Sequence, residues 1–535
     1  MCATEGQRGD LEFATLPGLV KTAAERHGDR VFIEDETTQI SFKDLAEKVE
    51  EATRALISLG VEPGDRVAIW APNCWEWIVA ALSIHSAGAV LVPVNTRYKG
   101  QEAAWLLNKS RAKALFTVTG FLATDYVALL EAASVPTPNL AHTVVLRGHA
   151  PDETESWAAF LERAAATSRE DARTRADSVR PEDVCDILFT SGTTGHPKGA
   201  MASHGQSLRA YRDWAHVVGL CAEDRYLVVA PFFHCFGYKA GWMAALLVGA
   251  TVLPQPVFDV AQVLARIAPD RVSMLPGPPA LYQTMLARPD LKEHDLSSLR
   301  LAVTGAAVIP VSLIQRMRDA LGFETIITGY GLTESTGIAT MCRFDDDEET
   351  IATTSGRAIP GVEVRVVNDA GQSVDANEPG EVVIRGYTVM GGYFEDPEQT
   401  AATINADGWL HTGDIGVMNE RGYLRITDRK KDMFIVGGFN AYPAEIENTI
   451  CEHAAVAEVA VIGVPDRRLG EVGLACVVVR SDSTLESDEL TRWCRERMAN
   501  FKVPRRVELV ESLPRNATGK VMKFVLRERF TSSAG

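Results

Sequence analysis

Residues 190–199 combine glycines, hydroxyl side chains and one lysine directly after a strand-like apolar run. Glycines let successive backbone amides point together into an anion nest, and hydroxyls donate to phosphate oxygens. Lys198 adds a positive charge. The Gly-Lys-Ser/Thr ending of a Walker A loop is missing, and a polar surface turn is the plainer alternative. The pattern predicts a phosphate-binding loop made of Thr190, Ser191, Gly192, Thr193, Thr194, Gly195 and Lys198.

Six segments of the chain together resemble the adenylate-forming superfamily, which includes acyl-CoA synthetases, peptide-synthetase adenylation domains and luciferases. The resemblance extends from about residue 15 to about residue 527, and the motifs follow the family's order. The resemblance implies an enzyme that uses ATP to activate a carboxylic acid. The segments are residues 190–199, 231–237, 330–334, 409–414, 428–432 and 514–520.

The resemblance implies a nucleotide site in which Tyr330, at a glycine-flanked loop after a strand, stacks on adenine. Gly305, Ala306 and Ala307 would form a backbone wall beside the base, since small residues permit close approach of a flat ligand. Asp414 would accept hydrogen bonds from the ribose hydroxyls. The other nucleotide-binding residues implied are Gly329, Gly331, Ile426 and Arg429, of which the last contacts ribose or phosphate.

Lys520 is the catalytic residue that the resemblance implies for adenylation. A positioned ammonium stabilises the negative charge that develops when a carboxylate attacks the α-phosphate. Thr333 would bind that phosphate. Glu334 and Thr190 would hold Mg²⁺, a hard cation that prefers oxygen ligands. Each of these side chains is otherwise an ordinary solvated group.

A second half-reaction with coenzyme A is implied by a hinge and a glycine pair. Lys431 matches the family's pivot, about which the small domain would rotate after pyrophosphate leaves. That rotation would withdraw Lys520 and present Gly437, Gly438 and Phe439, which resemble the loop that lines the pantetheine tunnel. Loading of a carrier protein is the alternative, and a degenerate, non-catalytic binder of acyl-adenylate is a third.

The acid is indicated less directly by the segment around His234, an aromatic position that flanks and gates the acyl pocket in the family. Several stretches between residues 232 and 343 look like the bacterial ligase that activates the propanoate side chain left on the steroid C and D rings. Medium-chain fatty acids, aryl acids and other cyclic acids remain open. The predicted acyl-pocket residues are His234, Phe236, Gly237, Gly241, Gly329, Gly331 and Ile338.

Strand-like runs that alternate with amphipathic helices predict an α/β fold. Ser41 caps a predicted helix that buries Leu45, Val49, Ala52 and Leu56. We expect an N-terminal domain of stacked sheets with flanking helices at residues 1–427, with a β-rich subdomain at about 350–427. A hinge at 428–432 and a small, mobile α+β domain at 433–535 complete the predicted organisation.

The composition argues against several classes of binding partner and site. A net charge of −17 argues against general nucleic-acid binding. The nine scattered cysteines contain no C-x-x-C pair, which argues against a disulfide framework or a zinc site. No signal peptide, peroxisomal address or bilayer-spanning stretch is expected. The predicted partners are a carboxylic acid, ATP and coenzyme A in the cytoplasm, with a homodimer left open.

Overall fold

The computed structural model describes residues 14–190, 197–305, 309–429, 432–436, 439–466, 469–498, 500–515 and 521–531. The chain divides into two compact units. The first contains residues 1–363 and 384–410, and the second contains residues 364–383 and 411–535. This division passes through the region predicted as a β-rich subdomain, and the predicted hinge at 428–432 stays a prediction.

The first unit is built on two large β-layers. One is an eight-stranded sheet in the order β18-β9-β8-β4-β3-β5-β6-β7. The other consists of the sheets β10-β11-β1-β2 and β12-β13-β14-β15, which Met274 joins through bridges to Tyr226 and Leu301. The strands are β1 Val31–Asp35, β2 Thr38–Ser41, β3 Arg66–Trp70, β4 Val90–Pro93, β5 Ala112–Val118, β6 His142–Arg147, β7 Glu155–Ser156, β8 Val184–Thr190, β9 Lys198–Ser203, β10 Arg225–Val228, β11 Thr251–Pro254, β12 Leu301–Gly305, β13 Thr325–Tyr330, β14 Thr340–Met341, β15 Arg357–Ala358 and β18 Gly392–Tyr393.

Helices accompany these strands along the first unit. They are α1 Leu16–His27, α2 Phe42–Ser58, α3 Trp75–Ser86, α4 Gly100–Ser110, α5 Tyr126–Ala132, α6 Trp157–Glu162, α7 Arg169–Asp177, α8 His204–Val218, α9 Cys235–Gly237, α10 Ala244–Val248, α11 Val260–Ile267, α12 Pro279–Leu286, α13 Val311–Leu321, α14 Glu348–Thr353 and α15 Pro397–Thr403. Tyr238–Met243 forms a π-helix. Short 3₁₀ turns occur at Arg163–Ala166, Leu291–Glu293 and Thr333–Ser335.

Helix α2 is an element that the local sequence was sufficient to predict. Ser41 accepts from the backbone of Asp44, whose side chain bonds back to the Ser41 backbone in a capping box. The predicted stripe of Leu45, Val49, Ala52 and Leu56 is buried at 3% exposure or less. Helix α13 begins at Val311, and Pro310 is its N-cap.

The second unit contains most of a small sheet in the order β16-β17-β19-β20 and a five-stranded sheet in which β22, β21, β24 and β23 follow one another and β25 pairs with β24. One apolar cluster, which includes Phe434, Ile462 and Leu474, packs this five-stranded sheet. The elements are β16 Val362–Val367, β17 Gly380–Gly386, β19 Leu410–Met418, β20 Leu424–Arg429, β21 Phe434–Val436, β22 Phe439–Ala441, β23 Val456–Asp466, β24 Gly470–Val479, β25 Arg506–Leu509, α16 Pro443–Cys451, α17 Ser487–Arg495 and α18 Lys523–Thr531.

The mixed α/β class with a smaller C-terminal α+β part is confirmed. Among the described residues, no helix combines the length and the apolar character that crossing a membrane requires. All eight described cysteines are free thiols, and seven of them are buried, as expected for small apolar residues.

Candidate active site

Strands β8 and β9 form an antiparallel hairpin whose ends bracket the predicted phosphate loop. Thr190 and Lys198 are register partners, and the Thr190 hydroxyl donates to the Lys198 carbonyl oxygen at 3.4 Å. Residues 191–196, which include Ser191, Gly192, Thr193, Thr194 and Gly195, lie outside the described residues. The hairpin therefore fixes both ends of the loop at the edge where β8 stops.

The Lys198 ammonium contacts two side chains that the sequence patterns did not single out. Its Nζ donates to Gln399 Oε1 at 2.5 Å and lies 5.1 Å from the centroid of the Tyr393 ring. Tyr393 is on β18, where it pairs with Ala200 of β9. The short strand β18 therefore brings an aromatic face against the predicted phosphate-binding lysine.

Tyr393 also joins that lysine to the predicted metal ligand. Its hydroxyl donates to Glu334 Oε1 at 2.8 Å, and Met390 N donates to the Glu334 carbonyl oxygen at 2.8 Å. Burial and the adjacent Glu334 carboxylate raise the pKa of Tyr393, so the phenol stays protonated as a donor. One Glu334 oxygen is thereby held, and Lys198 and Glu334 flank the same ring.

The predicted adenine wall lies where two parallel strands end side by side. Gly305 of β12 and Gly329 of β13 are register partners. A Cβ on Gly305 would lie 3.0 Å from the Gly329 carbonyl oxygen, and one on Gly331 would lie 2.5 Å from the Gly337 backbone. Small residues are required here by close backbone approach. Ala306 and Ala307 lie outside the described residues.

Ligand crevices in open α/β sheets lie beyond the carboxyl ends of strands. Tyr330 is the last residue of β13 and is half-buried, and Thr333 begins the 3₁₀ turn that carries Glu334. Ile338 is 5% exposed. The predicted adenine, phosphate and acyl residues of β13 and the turn after it therefore occupy one short stretch at a strand end.

His234 and the residues after it form the predicted acyl segment. The His234 ring is exposed to solvent, and its Nδ1 accepts from Phe236 N at 3.3 Å, which caps the single turn α9. This hydrogen bond holds the ring at the start of the acyl segment.

The glycines of the acyl segment are explained by packing. A Cβ on Gly237 would lie 2.2 Å from the Pro231 carbonyl oxygen, and one on Gly241 would lie 3.0 Å from Val228 Cγ1. Backbone therefore fills the space beside Gly237, which is one of the predicted acyl-pocket residues. Its role as an acyl-pocket residue stays a prediction.

The acyl segment and the Glu334 turn contact each other. A Cβ on Gly337 would lie 3.0 Å from Cys235 Cβ and 2.3 Å from the Tyr211 hydroxyl. That hydroxyl donates to the Thr336 carbonyl oxygen at 2.9 Å, and Thr336 has a left-handed φ of 57°. The left-handed pair at residues 336 and 337 lets the chain turn tightly beneath the site.

In the second unit, the two predicted ribose ligands are cross-strand neighbours. Asp414 of β19 is the register partner of Arg429 of β20. The Asp414 side chain is 2% exposed, and its backbone N donates to Thr412 Oγ1 at 3.1 Å. Ile426 pairs with Gly416 on the same two strands. Strand pairing thus places the two ribose candidates opposite each other on β19 and β20.

The remaining candidates of the second unit are outside what the structure describes. Lys431, Gly437, Gly438 and Lys520 fall in the undescribed segments, and Phe439 is described only as backbone in β22. Their catalytic, hinge and tunnel roles stay predictions. Among the described residues, no group of three or more His, Cys, Asp or Glu side chains is arranged to hold a metal ion.

Comparisons with known proteins match nearly the whole chain. The family model "AMP-binding enzyme" matches residues 20–394, and "AMP-binding enzyme C-terminal domain" matches residues 445–520. The chain is 48% identical to the "3-[(3aS,4S,7aS)-7a-methyl-1,5-dioxo-octahydro-1H-inden-4-yl]propanoyl:CoA ligase" of Rhodococcus jostii (strain RHA1), over 96% of this chain and 98% of that protein.

The protein of the same name from Mycobacterium tuberculosis (strain ATCC 25618 / H37Rv) is also 48% identical, over 97% of this chain and 99% of its own. Among solved structures, the crystal structure of the anthranilate CoA ligase AuaEII in complex with anthranoyl-AMP superposes with a TM-score of 0.87. It is 30% identical and covers 98% of this chain and 99% of its own.

Proposed function

Because the chain belongs to the family of AMP-binding enzymes, we propose that it is an ATP-dependent acid–CoA ligase. In the first half-reaction, the carboxylate attacks the α-phosphate of ATP and releases pyrophosphate, which leaves an acyl-adenylate. In the second, the thiol of coenzyme A attacks the acyl carbonyl carbon and AMP leaves. Carrier-protein loading and aryl-acid activation are the alternatives that the assay below separates.

The observation that carries this proposal is 48% identity over almost full length to two ligases whose names specify a dioxo-octahydroindenyl propanoate. We propose the same substrate class here: a bicyclic, largely apolar propanoic acid with two ketones. A pocket for such an acid needs apolar walls and a few polar contacts. The aromatic His234 ring and the buried Ile338 are suitable wall residues.

Each predicted residue has a defined task in the first half-reaction. Lys198 and the loop amides would bind the departing phosphates, and Lys520 would stabilise charge on the α-phosphate. Thr333 would orient that phosphate. Positive charge placed where the transition state gains negative charge lowers the barrier more than uniform binding does.

Magnesium is part of the proposal, because Glu334 and Thr190 supply the oxygen donors that a hard cation prefers. Bound Mg²⁺ would offset the negative charge of the phosphates. Tyr393 donates to Oε1 of Glu334, which limits rotation of the carboxylate.

The test is a panel of carboxylic acids assayed for AMP release in the presence of ATP, with coenzyme A or a carrier protein as acceptor. We expect the indanedione propanoate with coenzyme A to give the highest kcat/KM, above a medium-chain fatty acid and an aryl acid. A medium-chain or aryl preference refutes the substrate class. Release of AMP with the carrier protein alone refutes the ligase assignment. A cytoplasmic location is part of the same proposal.

A further inference from the structure

A fully buried ion pair lies in the first unit beneath the predicted site. Lys239 Nζ is 2.9 Å from Asp186 Oδ2, and both side chains are 0% exposed. The sequence patterns did not single out either residue as functional. Charged side chains are almost never fully buried unless they are paired, so the pair needs a physical explanation.

The ion pair connects three separate elements. Lys239 is in the π-helix and Asp186 is in β8. Lys239 Nζ also donates to Ser207 Oγ of α8 at 3.0 Å, and Cys185 Sγ donates to Asp186 Oδ2 at 3.1 Å. These directional contacts fix how the π-helix lies against β8 and α8.

The charges are retained despite their desolvation. Burial lowers the pKa of Lys239, but Asp186 and neighbouring groups outweigh that effect and raise the pKa above its ordinary value. Lys239 is therefore an ammonium ion. A well-packed apolar pair of similar volume is often as stable as a buried ion pair or more so. Stability alone does not explain the pair, and its directional geometry is the property that an apolar pair lacks.

The ion pair joins the strand that leads into the predicted phosphate loop to the predicted acyl segment. Asp186 is four residues before Thr190 on the strand that leads into the predicted phosphate loop. Lys239 lies between Gly237 and Gly241 of the predicted acyl segment. π-Helical turns occur frequently at functional sites, and Gly241 has a non-helical ψ of −108° within this one.

We propose that the Lys239–Asp186 ion pair positions the acyl segment relative to β8 and to Thr190 at its end, so that the acid's carboxylate is held in line with the α-phosphate. Both residues are positioning residues, since they act through β8 and the π-helix. The inference rests on the proposed function. A misplacement of about 1 Å in such a geometry reduces the rate by about 100-fold.

The test compares Lys239→Met with the double variant Lys239→Met/Asp186→Leu, which carries no uncompensated charge. We expect Lys239→Met to lower the Tm and the double variant to recover it. In the double variant, we expect kcat/KM for the acid in acid-dependent pyrophosphate exchange to fall at least about tenfold. The KM for ATP is expected to stay within about twofold, because the loop's own residues are unchanged.

The control is Arg147→Met, which removes part-buried ion pairs from β6 to Asp35 of β1 at 2.6 Å and to Glu76 of α3 at 2.8 Å. None of these three elements carries a predicted site residue. We expect Arg147→Met to lower the Tm without lowering kcat/KM for the acid. An unchanged kcat/KM for the acid in a double variant with recovered Tm overturns the proposal, as does an equally large effect on the KM for ATP.

Hydrogen–deuterium exchange of the resting protein separates this inference from the proposed function. Peptides covering residues 234–243 should exchange faster in the double variant than in wild type or Arg147→Met. Unchanged exchange there refutes the positioning role, whatever the substrate. If wild type activates no acid while exchange in the double variant rises, the proposed function fails and the structural role of the pair stands.

Discussion

Replacing Tyr393 with Phe removes the hydrogen bond to the predicted magnesium ligand, together with a contact to Thr403, and leaves the ring in place. Tyr393 is 7% exposed and its hydroxyl donates to Glu334 Oε1 at 2.8 Å. A hydrogen bond to a charged group contributes about 1.5–3 kcal/mol. If that amount is lost from the transition state, kcat/KM for adenylation falls about 10- to 160-fold. We also expect the Mg²⁺ concentration for half-maximal rate to rise, because Glu334 gains freedom.

The matched control is Tyr387→Phe. The Tyr387 hydroxyl also donates to a carboxylate, Asp213, at 2.5 Å, and a cation, Arg209, also lies over its ring. Neither partner is a predicted site residue. Pyrophosphate exchange at varied ATP and Mg²⁺, with Tm measured in parallel, compares the two variants. The reasoning is refuted if Tyr393→Phe keeps the wild-type rate and Mg²⁺ dependence, or if Tyr387→Phe loses activity equally.

Four further outcomes are expected. Lys520→Ala should abolish adenylate formation, which is measured by pyrophosphate exchange, but should largely preserve thioester formation from preformed acyl-adenylate. Equal loss of both half-reactions contradicts the predicted rotation of the small domain between them. Gly438→Leu should impair thioester formation more than pyrophosphate exchange, and an equal effect would exclude the tunnel assignment. Gly237→Ala should lower the free energy of unfolding by about 1–3 kcal/mol, because the new Cβ would lie 2.2 Å from a backbone oxygen. Gly391→Ala, whose new Cβ would have its nearest neighbour at 3.8 Å, should be near neutral in chemical denaturation. Burial lowers the pKa of His204 from 6.5 to about 4, so the unfolded chain binds a proton at a higher pH than the folded protein does. The free energy of unfolding therefore falls as the pH drops from 6.5 toward 4. When Tm is followed against pH, this loss should be smaller in His204→Gln.

Amphipathic helices were predictable because their buried apolar residues recur three and four positions apart in the sequence. The buried stripe and capping box of α2 were confirmed. Helix boundaries were less predictable, since the N-cap of α17 is Glu486, whose side chain makes no capping hydrogen bond. Capping depends on the backbone angles of the residue before the helix, and residue type alone does not determine them.

The nucleotide-site residues were predicted from motifs that follow the family's order, and pairing of β8 with β9 places two of them, Thr190 and Lys198, opposite each other. Tyr393 and Gln399 were missed because neither carries a local pattern. Tyr393 follows Gly391 and Gly392 in an ordinary turn-like sequence. Glycines beside an aromatic residue occur in many turns, so this signal did not distinguish a functional tyrosine.

Residue types a few positions apart were enough to predict a phosphate loop rich in hydroxyls and glycines, a carboxylate for a cation and a set of ordered family motifs. The side chains that contact Lys198 and Glu334 became visible only once the chain was folded. Glu334 and Tyr393 are 59 residues apart, and Lys198 and Gln399 are 201 apart. Such contacts depend on how strands from distant parts of the chain pair, and local propensity does not encode that pairing.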